Sequence, residues 1–444
     1  MSRRTAYWTL LVVTLVVGLN YMDRYVLAIL IEPIRADLQI TDTQIGLLTG
    51  AAFALLYSTL AIPIARLAER YNRVVILTCA VLLWSLATGL SGLANGFVFL
   101  LLARMLVGCG EAGAMAPSLS MVADLFPIER RATAMSIIGL GSAAGNTVAP
   151  WIGGWLQSTV GWRMSFVALG LVGVPLALLL IFTVPHPRRG LSDGAAAVVE
   201  PLPFGIAIRR LFQRRTFTLL TAALILMSIA EYSMILWMPS LFHRSFGVEL
   251  QDLGARLALF QGVPFFLGTY FGGVAADRLY KHDPRWIIWV PMISVMLTAP
   301  AVFWMCMAQS ENTMLWLLIV PSFANGVYIG PCYALVQNLS AVHSRATATA
   351  VLAFTVNLIG AGLGPLLLGA LSGHLTAEFG EQSLRYAFYA LVPLYVCAAL
   401  IFIPMAFQLR SDLENARQDT LGLLDEPVTA HARKIGATQT HAST

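Results

Sequence analysis

Long apolar runs alternate with short polar breaks along almost the whole chain. A helix of about 20 apolar residues is long enough to cross the ~30 Å hydrocarbon core of a bilayer. The breaks carry turn residues and charge, as at Asn72-Arg73 and Gly161-Trp162-Arg163. The pattern predicts an all-α membrane protein with twelve transmembrane helices, near residues 6–34, 44–65, 74–95, 97–123, 134–157, 164–184, 217–241, 253–275, 286–308, 313–340, 346–373 and 384–408.

A polar insert after the sixth span divides the chain near its middle. We therefore predict a six-helix bundle over 1–184, a cytoplasmic linker over 185–216, a second six-helix bundle over 217–408 and a disordered cytoplasmic tail over 409–444. Apolar and arginine residues interleave late in the linker, which favours a basic helix lying on the inner membrane surface. A solvated linker turn is the alternative.

Composition and charge agree with an integral membrane protein. The chain is 58% hydrophobic and 11% charged, far more apolar than a soluble domain. Of its 28 Lys and Arg residues, 21 fall on the side that holds both termini, so the positive-inside rule predicts cytoplasmic termini and a place in the cell's inner membrane. These basic residues are scattered among loop ends, which argues against nucleic-acid binding. The five cysteines form no C-x-x-C pair, so we expect neither a metal site nor a cofactor.

Four charged residues lie well inside the first and fourth apolar spans, Asp23 and Arg24 in the first and Arg104 and Glu111 in the fourth. Each costs roughly 2.5–3.5 kcal/mol at bilayer depth, so such residues face a bundle interior and serve a function. Arginine does not deprotonate in proteins, so a transported proton is carried by Asp23 or Glu111. Arg24 and Arg104 offer paired donors for an anionic substrate, and Asn20 is placed to brace its charged neighbours. A purely structural network between the two spans is the alternative.

Further polar residues within the spans are candidates for substrate binding. Glu231, in the middle of the seventh span, is suited to an ammonium or hydroxyl group. The other candidates are Tyr21, Tyr232, Tyr328 and Asn357. Buried Tyr and Asn also satisfy hydrogen bonds between helices, which is the alternative for each of them.

Two pieces of sequence recur across the midpoint in the same order. Residues 65–73 resemble residues 273–281, and Arg131-Ala132-Thr133-Ala134 recurs as Arg345-Ala346-Thr347-Ala348. The repeat indicates a duplicated six-span unit. Two like halves with a site between them is the architecture of a secondary transporter.

These motifs resemble those of the major facilitator superfamily over nearly the whole chain. The loops after spans two and eight look like its signature, with Ala65 and Glu69 in place of the usual glycine and aspartate. Residues 104–112 resemble its fourth-span motif and residues 124–131 its loop between spans four and five. The resemblance implies a gate of ion pairs at the cytoplasmic ends of the spans, formed by Glu69, Arg70, Arg73, Asp124, Asp277, Arg278 and Lys281.

A narrower resemblance is to the spinster branch, carried by Asn20-Tyr21-x-Asp23-Arg24, the loop 69–73 and Gly108-x-Gly110-Glu111-Ala112. It implies a proton-coupled transporter, acting by alternating access as a monomer, that moves a lysophospholipid or sphingoid phosphate. A similar first motif opens transporters of sugar acids and other organic anions, which are the alternative cargo. A membrane enzyme is not expected, because the sequence has no G-x-S-x-G, intramembrane histidine or paired-aspartate pattern.

Overall fold

Helices account for nearly all of the chain that can be described, as the apolar runs predict. The computed structural model describes residues 3–186, 204–340 and 345–439, apart from the side chains of residues 69, 128, 129, 132, 204–207, 345–347, 417 and 419–439. Residues 187–203 of the predicted linker and 440–444 of the predicted tail lie outside the described residues.

The helices fall into two bundles, which we call the first bundle (α1–α7) and the second bundle (α9–α18), with α8 between them. Within the described residues the α-helices are α1 (Arg3–Leu38), α2 (Asp42–Gly46), α3 (Ala52–Arg70), α4 (Arg73–Ser91), α5 (Phe97–Glu111), α6 (Met115–Leu125), α7 (Ile128–Thr183), α8 (Phe204–Gln213), α9 (Arg215–Phe246), α10 (Leu250–Leu257), α11 (Val263–Tyr280), α12 (Trp286–Met307), α13 (Glu311–Val327), α14 (Ile329–Asn338), α15 (Arg345–Thr355), α16 (Gly362–Phe379), α17 (Ser383–Phe388) and α18 (Leu391–Gln439). Three π-helical turns join neighbouring helices, at Leu47–Ala51, Ala258–Gly262 and Val356–Ala361.

Ten stretches of the described helix are long and apolar enough to span a membrane. Two of them are far longer than one crossing needs, Thr133–Thr183 and Ala348–Ala416. The first contains Gly161 in the left-handed region (φ 77°), and the second contains the short 3-10 helix Gly380–Gln382. Division of these two stretches at their breaks is consistent with the twelve crossings that the sequence predicts.

The outer surface of the bundles is apolar, as contact with lipid requires. Large hydrophobic side chains such as Phe182, Trp316 and Phe407 are 81%, 66% and 66% exposed. A soluble protein rarely presents so many apolar residues to its surroundings. Trp84 and Trp237, by contrast, are fully buried, one in the core of each bundle.

The internal repeat is visible in the backbone. The second span comprises α2, a π-helical turn and α3, and the matching span of the second bundle comprises α10, a π-helical turn and α11. The fourth span is likewise broken between α5 and α6, and its counterpart between α13 and α14. This correspondence supports two pseudo-symmetric bundles.

The ends of the predicted domains remain predictions. Helix α8 lies where a basic surface helix is expected, with Arg209 and Arg210 exposed and Leu211 buried. It packs against α9 and α15 of the second bundle. Helix α18 continues the backbone helix through the predicted tail as far as Gln439.

The two bundles meet mostly on one side of the membrane. We call the face that carries Arg3 and Thr183 the terminal face, and the face that carries Leu38 and Phe246 the distal face. Near the distal face α2 packs on α16 and α7 on α10. A Cβ at Gly46 would lie 2.5 Å from the carbonyl oxygen of Pro365, so these backbones need glycine to approach. Near the terminal face, α6 and α14 pack on helices of their own bundles. The space between the bundles therefore opens toward the terminal face.

Candidate functional site

A central cavity of about 660 Å³ lies between the two bundles. The first bundle contributes residues of α1, α3 and α7 to its wall, and the second bundle contributes residues of α9, α11, α14 and α15. Its volume is within the range of small-molecule sites. The wall is mostly apolar, with a few polar groups that converge from both bundles.

Most of the predicted substrate-binding residues line this cavity. Six of the eight do so, namely Tyr21, Arg24, Glu231, Tyr232, Tyr328 and Asn357. Asn20 and Arg104 are not among the lining residues and are 3% and 2% exposed. The cavity also presents polar residues that the sequence argument did not select, Ser136, Ser142, Asn146, Ser228 and Thr269. Serine, threonine and asparagine are common in membrane helices, so composition alone gave no signal for them.

Arg24 is the cationic residue in the cavity wall. Its Nη2 and Nε donate to Oε2 of Glu111 at 2.9 and 3.2 Å, and both side chains are buried. Its guanidinium carbon also lies 4.6 Å from the ring centre of Tyr57, 4.7 Å from that of Phe53 and 5.2 Å from that of Tyr21. Desolvated contacts of this kind stabilise a cation. Arg24 therefore places a positive charge at the cavity surface, and its counter-ion, Glu111, lies behind the cavity wall.

The other three charged residues of the first and fourth spans, Asp23, Arg104 and Glu111, lie behind Arg24. Asp23 is fully buried and accepts a hydrogen bond from Thr88 Oγ1 at 3.4 Å. Asp23, Arg104 and Glu111 interact electrostatically with one another, so the charges of the first and fourth spans do meet. Within the part of the chain that the structure describes, Asp23 Oδ1, Glu111 Oε1 and two nitrogens of Arg104 have no hydrogen-bond partner. Buried polar atoms of this kind are usually satisfied by water, which also conducts protons between carboxylates.

The glycines of the fourth-span motif explain how α5 comes so close to its neighbours. A Cβ at Gly110 would lie 2.6 Å from the backbone nitrogen of Trp84 on α4. At Gly108 it would lie 2.9 Å from the carbonyl oxygen of Phe53 on α3. Small residues permit this packing in membrane bundles. The close packing keeps Glu111 within reach of Arg24.

The second bundle presents a carboxylate across the cavity. Glu231 is 9% exposed, and the hydroxyl of Tyr328 donates to its Oε2. The neighbouring Tyr232 hydroxyl donates to Asn357 Oδ1 at 3.2 Å. The cavity is therefore bipolar, with a guanidinium on one wall and a carboxylate on the other.

A cluster of ion pairs closes the distal face, and the sequence argument did not identify it. We call it the distal lock, formed by Glu32, Arg35, Asp42, Arg244 and Ser372. Arg244 of the second bundle donates to Glu32 at 2.9 Å and to both oxygens of Asp42 at 2.7 and 2.8 Å, and Ser372 donates to Asp42 at 2.7 Å. Its signal in the sequence was weak. Arg35 and Arg244 appear only as basic residues at span ends, and the partners of Arg244 lie more than 200 positions away in the chain.

The described contacts of the residues predicted to gate the terminal face lie within one bundle. Arg73 pairs with Asp124 at 2.5 Å and with Ser120 at 2.7 Å, which ties α4 to α6 within the first bundle. Arg70, Asp277, Arg278 and Lys281 are exposed at helix ends, and the side chain of Glu69 lies outside the described residues. Broken ion pairs are expected on an open face, so the gating role stays a prediction.

A family model and a solved structure both match this chain over most of its length. The sequence model of the Major Facilitator Superfamily matches residues 13–365. A crystal structure described as a bacterial homolog to the human lysosomal transporter spinster, inward-facing and unoccupied, superimposes with a TM-score of 0.85 at 29% identity. The match covers 93% of this chain and 99% of that one.

Three relatives carry different descriptions as transporters. An MFS-type efflux pump of Mycolicibacterium smegmatis is 32% identical, covering 93% of this chain and 96% of the relative. A sphingosine-1-phosphate transporter of Danio rerio is 24% identical, covering 94% and 87%. A hexuronate transporter of Bacillus subtilis is 29% identical but covers only 60% and 63%.

Proposed function

Since this chain belongs to the Major Facilitator Superfamily, and within it to the spinster branch, we propose that it is a proton-coupled secondary transporter that works by alternating access. Its relatives are transporters, and it is a transporter rather than an enzyme. The positive-inside rule assigns the terminal face to the cytoplasm and the protein to the inner membrane. The cavity then opens to the cytoplasm while the distal lock closes the outer face. We expect a monomer to be sufficient, because the cavity is built within one chain.

The cargo we propose is a lysophospholipid or sphingoid phosphate. The observation that carries this proposal is Arg24, a buried guanidinium at the cavity wall whose counter-ion lies behind it. A guanidinium binds phosphate through paired hydrogen bonds. Apolar residues such as Leu140, Leu224 and Phe265 form the adjoining wall and suit an acyl chain. Glu231, opposite, suits an ammonium or hydroxyl of the headgroup. Arg104 and Asn20, buried behind the wall, would support Arg24 in this state.

Proton coupling follows from the competition for Arg24. Glu111 and an anionic substrate both require the same guanidinium donors. Protonation of Glu111 removes its charge and releases those donors, so a proton on the carboxyl strengthens binding of the anion. Asp23, close enough to interact electrostatically with Glu111, would share or relay the proton. Proton and substrate then favour each other, which is the requirement for symport.

Small organic anions such as sugar acids are the second candidate cargo. A hexuronate transporter is among the relatives, and a carboxylate binds to a guanidinium as a phosphate does. The two candidates differ in apolar content. Only an amphiphile gains free energy from the apolar wall, at about 0.8 kcal/mol per buried CH₂.

A binding screen separates the two cargoes. The purified chain in lipid nanodiscs is heated with a lysophosphatidic acid, a monoacylglycerol of the same chain length, or a hexuronate, and its melting temperature is recorded. We expect the lysolipid to raise the melting temperature most and the uncharged monoacylglycerol much less. Stabilisation by the hexuronate alone would refute the lipid cargo and establish the alternative.

A further inference from the structure

A second, smaller chamber adjoins the central cavity and shares Glu231 with it. Its volume of about 30 Å³ is enough for one or two water molecules or a small ion. Residues of α1 and α7 in the first bundle and of α9, α10, α11 and α13 in the second line it, so both bundles contribute. The transport cycle proposed above uses Glu231 and none of the other polar residues that line this chamber.

The chamber has one carboxyl group and, among the described residues that line it, no cationic side chain. Glu231 lines it, and no Lys, Arg or His is among the described residues that do. The phenolic hydroxyl of Tyr328 donates to Glu231 but brings no charge. A buried carboxylate is costly unless it is protonated or paired with a cation, so the ionised form of Glu231 favours a positively charged occupant.

Neutral oxygen donors surround the same space. The Ser322 hydroxyl is buried and has no hydrogen-bond partner among the described residues. The amide nitrogen of Asn325 donates to the Tyr395 hydroxyl at 3.4 Å, which leaves the amide oxygen available to the chamber. Thr147 adds a hydroxyl from the first bundle. A protonated carboxyl group needs only one hydrogen-bond acceptor. Several oxygen atoms directed into one space are instead the arrangement that binds a hard cation.

The backbone is also irregular here. Gln261, another lining residue, lies in the π-helical turn Ala258–Gly262. Single π-helical turns inside α-helices occur frequently at functional sites. This turn directs an amide side chain toward the chamber, and its Nε2 has no partner among the described residues. The two ends of an amide exchange by rotation, so Gln261 is able to supply its oxygen instead.

We propose that this chamber binds a sodium ion, held by Glu231, Ser322, Asn325 and Gln261 of the second bundle and by Thr147 of the first. One carboxylate balances one positive charge, which matches a monovalent ion better than calcium or magnesium, whose sites usually hold more carboxylates. We assign sodium rather than potassium, and a potassium titration tests that choice. Because its ligands come from both bundles, the ion would stabilise the state that is closed at the distal face.

Sodium-dependent stability of the full chain tests this site. The detergent-purified protein is titrated with sodium chloride, with choline chloride maintaining ionic strength at fixed pH and without lipid cargo. We expect a saturable rise in melting temperature with sodium and no comparable rise with potassium. The response should disappear in Glu231→Gln, and its half-saturating concentration should rise at least tenfold in Ser322→Ala.

Ser240→Ala is the matched control. Ser240 is a fully buried serine of the same bundle, its hydroxyl also lacks a partner among the described residues, and it does not line the chamber. This variant should keep the wild-type sodium response. A chamber that holds only water predicts equal melting temperatures in sodium and choline, and that result would overturn the proposal. So would an equal response to potassium, or an unchanged sodium response in both chamber variants. This experiment uses neither a proton gradient nor a cargo. A negative result would therefore rule out the sodium site without contradicting the proposed transport function.

Discussion

Arg244 is the residue on which closure of the distal face depends most. It reaches from the second bundle to Glu32 and Asp42 of the first, with three hydrogen bonds of 2.7–2.9 Å. The three side chains are 5%, 10% and 4% exposed, so water screens these ion pairs weakly. Arg244→Ala would leave two buried carboxylates facing an empty position in this state.

The cost can be estimated from the geometry. Removing one partner of a buried ion pair costs about 3–5 kcal/mol. Arg35 lies 3.5 Å from Glu32 and 3.4 Å from Asp42 and is 40% exposed, so it compensates part of the loss. We therefore take the lower end, about 3 kcal/mol, for the closed state. When the distal face opens, the carboxylates become hydrated and the penalty is relieved. Arg244→Ala should shift the equilibrium toward a distally open state by roughly 100-fold.

A distance measurement across the distal face checks this prediction. Spin labels at Ala36 of the first bundle and Glu249 of the second, both exposed, report the separation by pulsed electron resonance. We expect a longer distance to dominate in Arg244→Ala. Arg256→Ala is the control, because Arg256 pairs with Glu311 inside one bundle and is 41% exposed, so this pair is worth less than about 1 kcal/mol. An unchanged distribution in Arg244→Ala, or the same shift in both variants, would refute the lock.

Two further substitutions test the site and its packing. Arg24→Lys replaces the paired donors with a single ammonium and should weaken binding of a phosphate-bearing lysolipid about tenfold, with little effect on an uncharged monoacylglycerol. Equal losses, measured by titration calorimetry, would show that Arg24 does not contact the phosphate. Gly110→Ala places a Cβ 2.6 Å from the backbone of Trp84 and should cost about 1–3 kcal/mol of stability. Gly89→Ala, where a Cβ would meet nothing within 4 Å, should melt like the wild type, and equal melting of both variants would contradict the packing argument.

The sequence predicts the charged site because charges are scarce in an apolar chain. Asp23, Arg24, Arg104 and Glu111 stand out against their spans, and bilayer energetics requires that they face one another. The structure brings them together, with Arg24 on Glu111. The internal repeat likewise predicts two bundles, because each copy carries its own recognisable motifs.

What the sequence does not predict depends on contacts between distant residues. The contacts of the distal lock that cross between the bundles join residues more than 200 positions apart, such as Arg244 with Glu32. The π-helical turns have no sequence signature that we recognised. Burial of Arg104 behind the cavity wall also depends on tertiary packing. The sequence pattern places Arg104 and Glu111 on one face of their helix, but it does not predict whether Arg24 or Arg104 lines the cavity.

Flux driven by a pH gradient is the most direct test of the central claim that protonation of buried carboxyls controls Arg24. Wild-type protein, Glu111→Gln and Asp23→Asn are reconstituted in liposomes, and uptake of a labelled lysolipid is measured with and without the gradient, with folding checked by melting temperature. We expect the gradient to accelerate flux in the wild type and to have no effect in either folded variant. A wild-type response to the gradient in both variants would contradict the account.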